Sequence, residues 1–377
     1  MKIGIITLPL HTNYGGILQA YALKTVLEDM GHEAEVIDRA EKMVLPPSWK
    51  MPLIYAKRIF FNIVKKGKGP EIFRERRISK EFPVVAAEVL KFTEPAVAPR
   101  TVRAYTDLQA GEYDALVVGS DQVWRPAYFG KIEDAFLKFA EKWNIRRVAY
   151  AASFGTDVLE YSYEQLDVCS RLLKRFDAVS VRENSAVDLC DDWFDRADAV
   201  HVLDPVMLLS SDYYAGIAVS SASRPAKGKC FVYILDETRD KMAVASRIGN
   251  WFSGNIHNAS VNPRDGRRPL SERVVPSMQQ WISCFRDAEF VVTDSFHGCV
   301  MSILFHKPFI VLGNVSRGLA RINSLLETFG LEDRLVQGLD PEDDGEYYLS
   351  GIDWDAVDEK LENYRKISMD FLKSALK

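Results

Sequence analysis

The sequence lacks the features of a membrane-spanning, secreted or nucleic-acid-binding protein. No apolar run approaches the roughly 18 to 20 residues that would cross a bilayer. Met1–Ile6 carries too little charge and too short an apolar stretch for a signal peptide. Lys and Arg number 48 against 53 Asp and Glu, so the net charge is −5 and no basic surplus is available to neutralise phosphates. We therefore expect a cytoplasmic protein with no nucleic-acid partner.

Cysteine is scarce and is never spaced as CxxC. The five cysteines are odd in number, which argues against a disulfide framework and against a zinc site. We expect buried, reduced thiols, no metal and no cofactor. They are Cys169, Cys190, Cys230, Cys284 and Cys299.

What the sequence does contain is an α/β pattern long enough for two domains. A chain of 377 residues exceeds what one hydrophobic core usually holds. Short β-branched runs alternate with helical patterns, which indicates βαβ units and parallel sheets. Asp204–Pro205 reads as the connector between the two halves. The predicted segments are a first domain at 1–205, a second at 206–353 and an amphipathic helix at 354–377. The predicted strands are Lys2–Leu8, Glu33–Asp38, Ala115–Gly119, Arg147–Ala151, Ala178–Val181, Cys230–Leu235, Glu289–Thr293 and Pro308–Leu312.

Small and polar residues follow three strands of the first half. Ligands of doubly wound sheets bind at the carboxyl ends of the strands, so these loops are candidate binding segments. Asn13–Gly16 precedes a predicted helix beginning at Ile17 and offers an anion-binding loop, or a plain tight turn. After the predicted strand Ala115–Gly119, Asp121 either positions a hydroxyl or caps a helix, and Trp124 either stacks on a sugar ring or belongs to the core. The candidate binding residues are Asn13, Tyr14, Gly15, Gly16, Ser120, Asp121, Trp124 and Ser153.

Arg182 ends a predicted buried strand, where a guanidinium cannot stay unpaired. Its planar fork suits a carboxylate or a phosphate. Either Glu183 or another internal acid pairs with it, or it faces an anionic substrate. We take Arg182 as a candidate catalytic residue.

The strongest local pattern is Thr293–Gly298, in which a hydrophobic strand ends in Asp294, Ser295 and His297 before a helix begins. An imidazole gains and loses a proton near neutral pH, so His297 is the candidate proton carrier, with a structural histidine as the alternative. After the next strand, Asn314 and Arg317 are candidate binding residues.

Arg317 and Arg321 are spaced to share one helical face. Like charges at that spacing repel each other unless an anion lies between them. A pairing acid such as Glu327, or a solvated face, is the alternative.

The stretch 42–68 holds seven Lys or Arg and no acid, interleaved with aromatic and aliphatic residues. Part of it can form a basic amphipathic helix suited to an anionic membrane surface. The alternative is a solvated helix whose aromatic residues are core.

Six of these segments together resemble the polysaccharide pyruvyl transferase family, in register from residue 12 to residue 318. Each is modest alone, and their order makes the resemblance specific. They are Thr12–Gln19, Gly119–Trp124, Ser180–Glu183, Leu203–Pro205, Thr293–Gly298 and Arg317–Gly318.

The resemblance implies two Rossmann-like domains facing across a cleft, as in glycosyltransferases of the B type, with a C-terminal helix that can cross back. It implies an enzyme that moves a pyruvyl group from phosphoenolpyruvate, as donor substrate, to a hexose of a capsule, an exopolysaccharide or a lipid-linked precursor. A ketal forms and phosphate is released. In the family, the residues matching Arg182 and His297 belong to the donor site.

One departure concerns the residues before His297. Several members carry Arg-Leu-His where this chain has Ser295–Phe296–His297, so one expected cation is missing, and Arg317 and Arg321 are the candidates to replace it. A nucleotide-sugar glycosyltransferase is the first alternative function, because it would share the fold. A non-catalytic glycan-binding module is the second.

Overall fold

The chain folds into two α/β units, each built on a parallel sheet. The structure, a computed structural model, describes residues 1–39, 48–65, 70–219, 229–314, 317–336 and 346–377. The strands are β1 (Lys2–Ile6), β2 (Glu33–Arg39), β3 (Arg100–Val102), β4 (Ala115–Val118), β5 (Arg146–Ala152), β6 (Ala178–Val181), β7 (Val200–His201), β8 (Cys230–Tyr233), β9 (Ile256–Asn258), β10 (Phe290–Thr293), β11 (Phe309–Leu312) and β12 (Leu335–Val336).

Helices connect these strands. They are α1 (Tyr14–Asp29), α2 (Met51–Val64), α3 (Arg74–Val85), α4 (Ala87–Phe92), α5 (Tyr163–Leu173), α6 (Asn184–Phe194), α7 (Ser211–Val219), α8 (Arg239–Trp251), α9 (Met278–Asp287), α10 (Phe296–Leu304), α11 (Ala320–Phe329), α12 (Glu346–Ser350) and α13 (Trp354–Ala375).

Both sheets are doubly wound, and the strand order sets where a ligand can bind. The first sheet has the order β3-β2-β1-β4-β5-β6-β7 and the second has the order β12-β11-β10-β8-β9. The order reverses between β1 and β4 in the first sheet and between β8 and β10 in the second. The connections diverge at such points and leave a crevice beyond the carboxyl ends of the strands.

The central strands are nearly continuous apolar runs because parallel strands are covered on both faces. Ile3, Ile5 and Ile6 of β1 are fully buried, and Val117 of β4, which pairs with Ile5, is buried as well. All eight predicted strands are present. The short strands β3, β7, β9 and β12, of two or three residues each, were not predicted.

The first loop is shorter than predicted. Helix α1 begins at Tyr14 rather than at Ile17, so Tyr14, Gly15 and Gly16 form its first turn. The Gln19 side-chain amide donates to the Thr7 hydroxyl at 2.9 Å, and the backbone N–H of Ser120 donates to Gln19 at 2.9 Å. These buried bonds hold the helix start against the ends of β1 and β4.

The C-terminal helix crosses back to the first unit, as the resemblance implies. Arg365 of α13 donates to the carbonyl oxygens of Met207 and Leu209 at 2.7 and 2.9 Å, and Ser368 accepts from the Leu203 N–H at 3.0 Å. These partners lie in the connector that follows β7. The first sheet ends at His201 and the second begins at Cys230, while the boundary at 205/206 stays a prediction.

The five cysteines are buried and free, as predicted. Within the described ranges, none of the helices has the length and apolar character needed to cross a membrane.

Replacing Arg365 by Ala should lower the free energy of unfolding by about 1 to 3 kcal/mol, because two carbonyl groups of the connector lose a charged donor. Urea denaturation measures this loss. The control is Lys366→Ala on the same helix, an exposed position where a change within about 0.5 kcal/mol is expected. Equal effects of the two substitutions would contradict the anchoring role of Arg365.

Candidate active site

A cavity of about 460 Å³ lies where the two crevices face each other. One wall carries Asn13, which follows β1, and Asp121, which follows β4. The opposite wall carries Asp236 after β8 and His297 after β10. Both reversals of strand order therefore open into one cavity, which is the position expected for a ligand site in this architecture.

His297 lies in the first turn of α10 and is held in place from two sides. The Ser295 hydroxyl accepts from the Gly298 N–H at 3.3 Å and caps the helix, which fixes the turn carrying the imidazole. On the other side lies Gly15 of α1, where an added Cβ would be 2.0 Å from His297 Nδ1. Only glycine leaves room there for the imidazole.

The imidazole faces a carboxylate of the connector. His297 Nε2 lies 3.6 Å from Asp204 Oδ2, which is an ion-pair distance rather than a hydrogen bond. Asp204 is buried, and its other oxygen accepts from the Val206 N–H at 3.0 Å. His297 comes from the second unit and Asp204 from the connector, so this pair spans the cleft.

Arg182 joins Asp121 of the first unit to Asp204 of the connector. Its guanidinium contacts Asp204 at 2.6 Å and Asp121 at 3.2 Å, and all three side chains are nearly inaccessible to solvent. Burial alone would raise the pKa of Asp204, but the His297 imidazole and the Arg182 guanidinium outweigh it, and the pKa lies well below the usual range. The pKa of Asp121 is also lowered, because Arg182, His297 and Arg321 outweigh its burial.

The sequence leaves two alternatives open for Arg182, an internal acid or an anionic substrate. In the structure, internal acids pair with it. Those acids are Asp204 and Asp121 rather than Glu183, whose carboxylate accepts from Ser153 and from two backbone N–H groups at 2.9 to 3.0 Å. The guanidinium also lies 4.4 Å from the centre of the Phe296 ring and does not line the cavity. In this structure Arg182 is a positioning residue behind the wall, because its charge is used to hold the aspartates.

Arg321 is a nearly buried cation of the cavity wall, which also carries the more exposed Arg264 and Arg317. Its guanidinium lines the cavity, lies 3.8 Å from Asp121, and has an Nε atom without a hydrogen-bond partner. Burial, together with the positive charge of Arg182, lowers the pKa of Arg321 to about 10. The residue is charged at neutral pH, and its charge is only partly compensated by carboxylates, so an anion would be stabilised beside it.

Arg317 lies at the rim and already has a partner. Its guanidinium binds both oxygens of Asp236, at 2.5 and 3.0 Å, and its side chain is 39% exposed. Helix α11 begins at Ala320, so the predicted pairing of Arg317 and Arg321 on one helical face is wrong. Instead, Arg321 donates to the carbonyl oxygen of Arg317 at 3.1 Å.

Asp294 organises the second-unit side of the cavity. It accepts from the Leu235 N–H at 2.6 Å, from Lys241 at 2.7 Å and from Asn314 at 3.0 Å. The Asn314 amide also donates to Asp236 at 2.7 Å. This network fixes the ends of β8, β10 and β11 against one another.

Seven of the predicted site residues line the cavity, and the other seven lie behind its wall. Those that line it are Asn13, Asp121, Asp294, Ser295, His297, Asn314 and Arg317. Those behind it are Tyr14, Gly15, Gly16, Ser120, Trp124, Ser153 and Arg182.

Two aromatic predictions are corrected by burial. Trp124 is fully buried, stacks on Phe136 with ring centres 5.1 Å apart, and cannot stack on a sugar. Tyr14 stacks on Trp281 of the second unit at 5.0 Å and donates to the Pro276 carbonyl at 2.6 Å. Both side chains are structural, and Tyr14 ties the two units together.

Two charged groups of the site, Asp204 and Arg321, are not among the predicted site residues. Asp204 belongs to the predicted connector and to the family-like segment Leu203–Pro205, and Arg321 is predicted only as a candidate replacement cation. Asp204 lies 3.6 Å from His297, and Arg321 lies 3.8 Å from Asp121. Spacing along the chain does not reveal either contact.

The family model for polysaccharide pyruvyl transferase matches residues 13–317. This range contains His297, Asp204, Arg182 and Asp121 and ends just before Arg321. The chain belongs to the polysaccharide pyruvyl transferase family. The protein is therefore a transferase, and membership of the family implies a glycan acceptor. No curated protein sequence matches this pyruvyl transferase.

Solved structures share the fold of the pyruvyl transferase. UGT89C1 from Arabidopsis thaliana, complexed with UDP-L-rhamnose, has a TM-score of 0.50 and 8% identity over 98% of this chain and 97% of that chain. UDP-GlcNAc 2-epimerase from Neisseria meningitidis, bound to UDP-GlcNAc, has a TM-score of 0.49 and 13% identity over 99% of this chain and 100% of that one. The two parallel-sheet units and the likeness to the first of these structures give an architecture of the glycosyltransferase-B type, as the resemblance implied. The likeness shows the fold alone.

Replacing Asp204 by Asn should destabilise the pyruvyl transferase by about 3 kcal/mol at neutral pH, because Arg182 loses one of its buried counter-charges. Because the pKa of Asp204 is lowered in the folded protein, its ionised carboxylate stabilises the fold above the ordinary aspartate pKa of about 3.9. This stabilisation is lost as the pH falls further. The difference from wild type should therefore shrink below about pH 4. Urea unfolding across pH measures it.

The control for this series is Asp192→Asn, at an exposed side chain, where a change within about 0.5 kcal/mol is expected at neutral pH. A difference between Asp204→Asn and wild type that stays constant as the pH falls would contradict the lowered pKa of Asp204.

Proposed function

We propose that this pyruvyl transferase takes the pyruvyl group from phosphoenolpyruvate and places it on two hydroxyls of a hexose, forming a ketal and releasing phosphate. The observation that carries the proposal is that an imidazole and an incompletely paired guanidinium line the same cavity. His297 and Arg321 are these groups. Phosphoenolpyruvate needs both, because it is a multiply charged anion whose reactive carbon must be protonated.

The reaction needs one proton delivered and two removed. A proton adds to the methylene carbon of the donor, and positive character develops at the carbon that bears phosphate and carboxylate. One sugar hydroxyl attacks that carbon and loses its proton. The second hydroxyl attacks the same carbon as the C–O bond to phosphate breaks. One of the two hydroxyl protons balances the proton added to the methylene carbon, and the other ends on the departing phosphate. The balance is one diol and one phosphoenolpyruvate giving one ketal and one phosphate.

His297 is the group proposed to carry the proton. It lies at the cavity wall, with the Asp204 carboxylate 3.6 Å from its Nε2. Asp121, kept ionised by its cationic neighbours, lines the same cavity and is proposed to accept a hydrogen bond from a sugar hydroxyl.

Arg321 is proposed to hold the donor's negative charge. It replaces the cation expected two residues before His297, where this chain has Ser295. Charge-assisted bonds from a guanidinium to carboxylate or phosphate are stronger than neutral ones. Arg317 contributes less, because Asp236 already neutralises it. The Asn13–Gly16 segment contributes through the Asn13 side chain, since the rest of it lies behind the wall.

The acceptor is proposed to be a hexose-containing glycan, or its lipid-linked precursor, in capsule or exopolysaccharide synthesis. The absence of a cofactor, the cytoplasmic location and a membrane contact through residues 42–68 stay predictions alongside it. The direct test incubates the protein with phosphoenolpyruvate and a panel of glycosides, and follows phosphate release and a mass gain of one pyruvyl ketal. If nucleotide diphosphates raised the melting temperature and phosphoenolpyruvate did not, the result would contradict phosphoenolpyruvate as the donor.

His297→Gln should lower turnover by about 10²-fold or more while the melting temperature is retained, because the proton transfer loses its carrier. Phosphate release at saturating substrate measures it. The control is His306→Gln, whose side chain is 43% exposed beside Asp358, and for which normal turnover is expected. Near-normal turnover of His297→Gln would remove this residue from the mechanism.

Arg321→Gln should raise the KM for phosphoenolpyruvate about tenfold or more, because a charged donor of hydrogen bonds to the anion is lost. Initial rates at varied donor concentration measure it, and the KM for the glycoside should change little. Arg171→Gln, at a side chain that is 62% exposed, serves as the control. An unchanged donor KM in Arg321→Gln would show that another cation holds the donor.

A further inference from the structure

Helix α2 presents an apolar face that nothing in the described part of the chain covers. None of its residues is buried. Leu53 is 77% exposed, Phe60 62% and Ile63 72%, and Trp49, just before the helix, is 75% exposed. The alternative that the aromatic residues of this stretch are core is therefore wrong for the described residues 48–65. Several large apolar side chains exposed together mark an interaction surface rather than ordinary surface variation.

The opposite face of the helix is anchored to the protein. Arg58 binds both carboxylate oxygens of Glu75 on α3, at 2.6 and 2.8 Å. The Tyr55 ring packs edge-on against Phe73 at 4.9 Å, and the Asn62 amide donates to the Pro70 carbonyl at 2.7 Å. These contacts fix which side of α2 faces outward, so the exposed apolar face is set by the fold.

Lysines border this face, and no acid lies within the helix. Lys50, Lys57 and Lys65 are exposed, and the Lys50 ammonium lies 4.9 Å from the centre of the Trp49 ring. Lys42, Lys66 and Lys68 of the same basic stretch lie outside the described residues. The whole chain carries a net charge of −5, so this positive border is opposite in sign to the protein as a whole.

We infer that the outer face of α2 lies in the interface of an anionic membrane, with Leu53, Phe60 and Ile63 among the acyl chains and the lysines at the headgroups. An apolar face bordered by lysines matches such a surface in both polarity and charge. A second copy of this chain is a poorer partner, because symmetric pairing of α2 would bring the same lysines together.

A single helix, α3, separates the apolar face of α2 from the cavity. Helix α3, to which α2 is bound, reaches the cavity wall at two points. The Phe82 ring packs against the ring of His11, with centres 6.2 Å apart, and Arg77 donates to the Arg264 carbonyl at 3.1 Å. His11 and Arg264 both line the cavity. A protein held by α2 would therefore present its cavity near the membrane, where a lipid-linked glycan would be found; this last step rests on the proposed function.

The test is co-sedimentation of the full chain with phosphatidylcholine vesicles, with and without phosphatidylglycerol. Binding is expected only to the anionic vesicles and should weaken as salt is raised, because the lysines are screened. Phe60→Glu should weaken partitioning by about tenfold or more, because a buried aromatic ring is replaced by a charge that anionic headgroups repel. Tyr163→Glu, at a side chain that is 91% exposed elsewhere, is the matched control and should bind like wild type.

Three results would overturn the inference. They are equal binding to neutral and anionic vesicles, unchanged binding of Phe60→Glu, and a wild-type dimer that Phe60→Glu converts to a monomer without any vesicle binding. The last is read by light scattering. Pyruvyl transfer to a soluble glycoside should be equal in wild type and Phe60→Glu. A wild-type protein that performs the transfer but binds no anionic vesicle would sink the membrane surface and leave the proposed function standing. Vesicle binding by a protein that shows no pyruvyl transfer would contradict the proposed function and leave the membrane surface standing.

Discussion

The buried charge of Arg182 is the constraint on which the site depends. A guanidinium with almost no solvent contact needs carboxylates around it, and here they come from two distant parts of the chain, the end of β4 and the connector after β7. Removing a charge from water is costly unless its partners are well placed. The requirement therefore fixes Asp121 and Asp204 in position, and with them the wall against which His297 lies.

The two arginines of the site differ in how completely carboxylates neutralise them. Behind the wall, Arg182 is matched by two ionised aspartates, and little of its charge is left for a ligand. At the cavity, Arg321 has only a distant contact with Asp121, at 3.8 Å, and one nitrogen without a partner. Arg182 and Arg321 are thus balanced in number by Asp121 and Asp204, but the carboxylates lie closer to Arg182. The incompletely paired guanidinium of Arg321 is therefore the group that favours an anionic guest.

Much of the fold could be predicted from the sequence, because buried parallel strands are continuous β-branched runs. The short edge strands could not, since β7 and β12 have two residues each and leave no periodic pattern. Strand ends correctly indicated which segments meet at the cavity. They did not indicate side-chain direction: Trp124 turns inward to Phe136, and Arg182 turns to acids that lie 22 and 61 positions away in the sequence. Only the folded chain brings such groups together.

The Asp204–His297 pair crosses from the connector to the second unit. Its 3.6 Å separation requires the two units to meet closely, and they do so at Gly15, where an added Cβ would be 2.0 Å from His297 Nδ1. Any side chain at that position would push α1 away from α10. The approach of the two units at the cavity is thus limited by one residue that has no side chain.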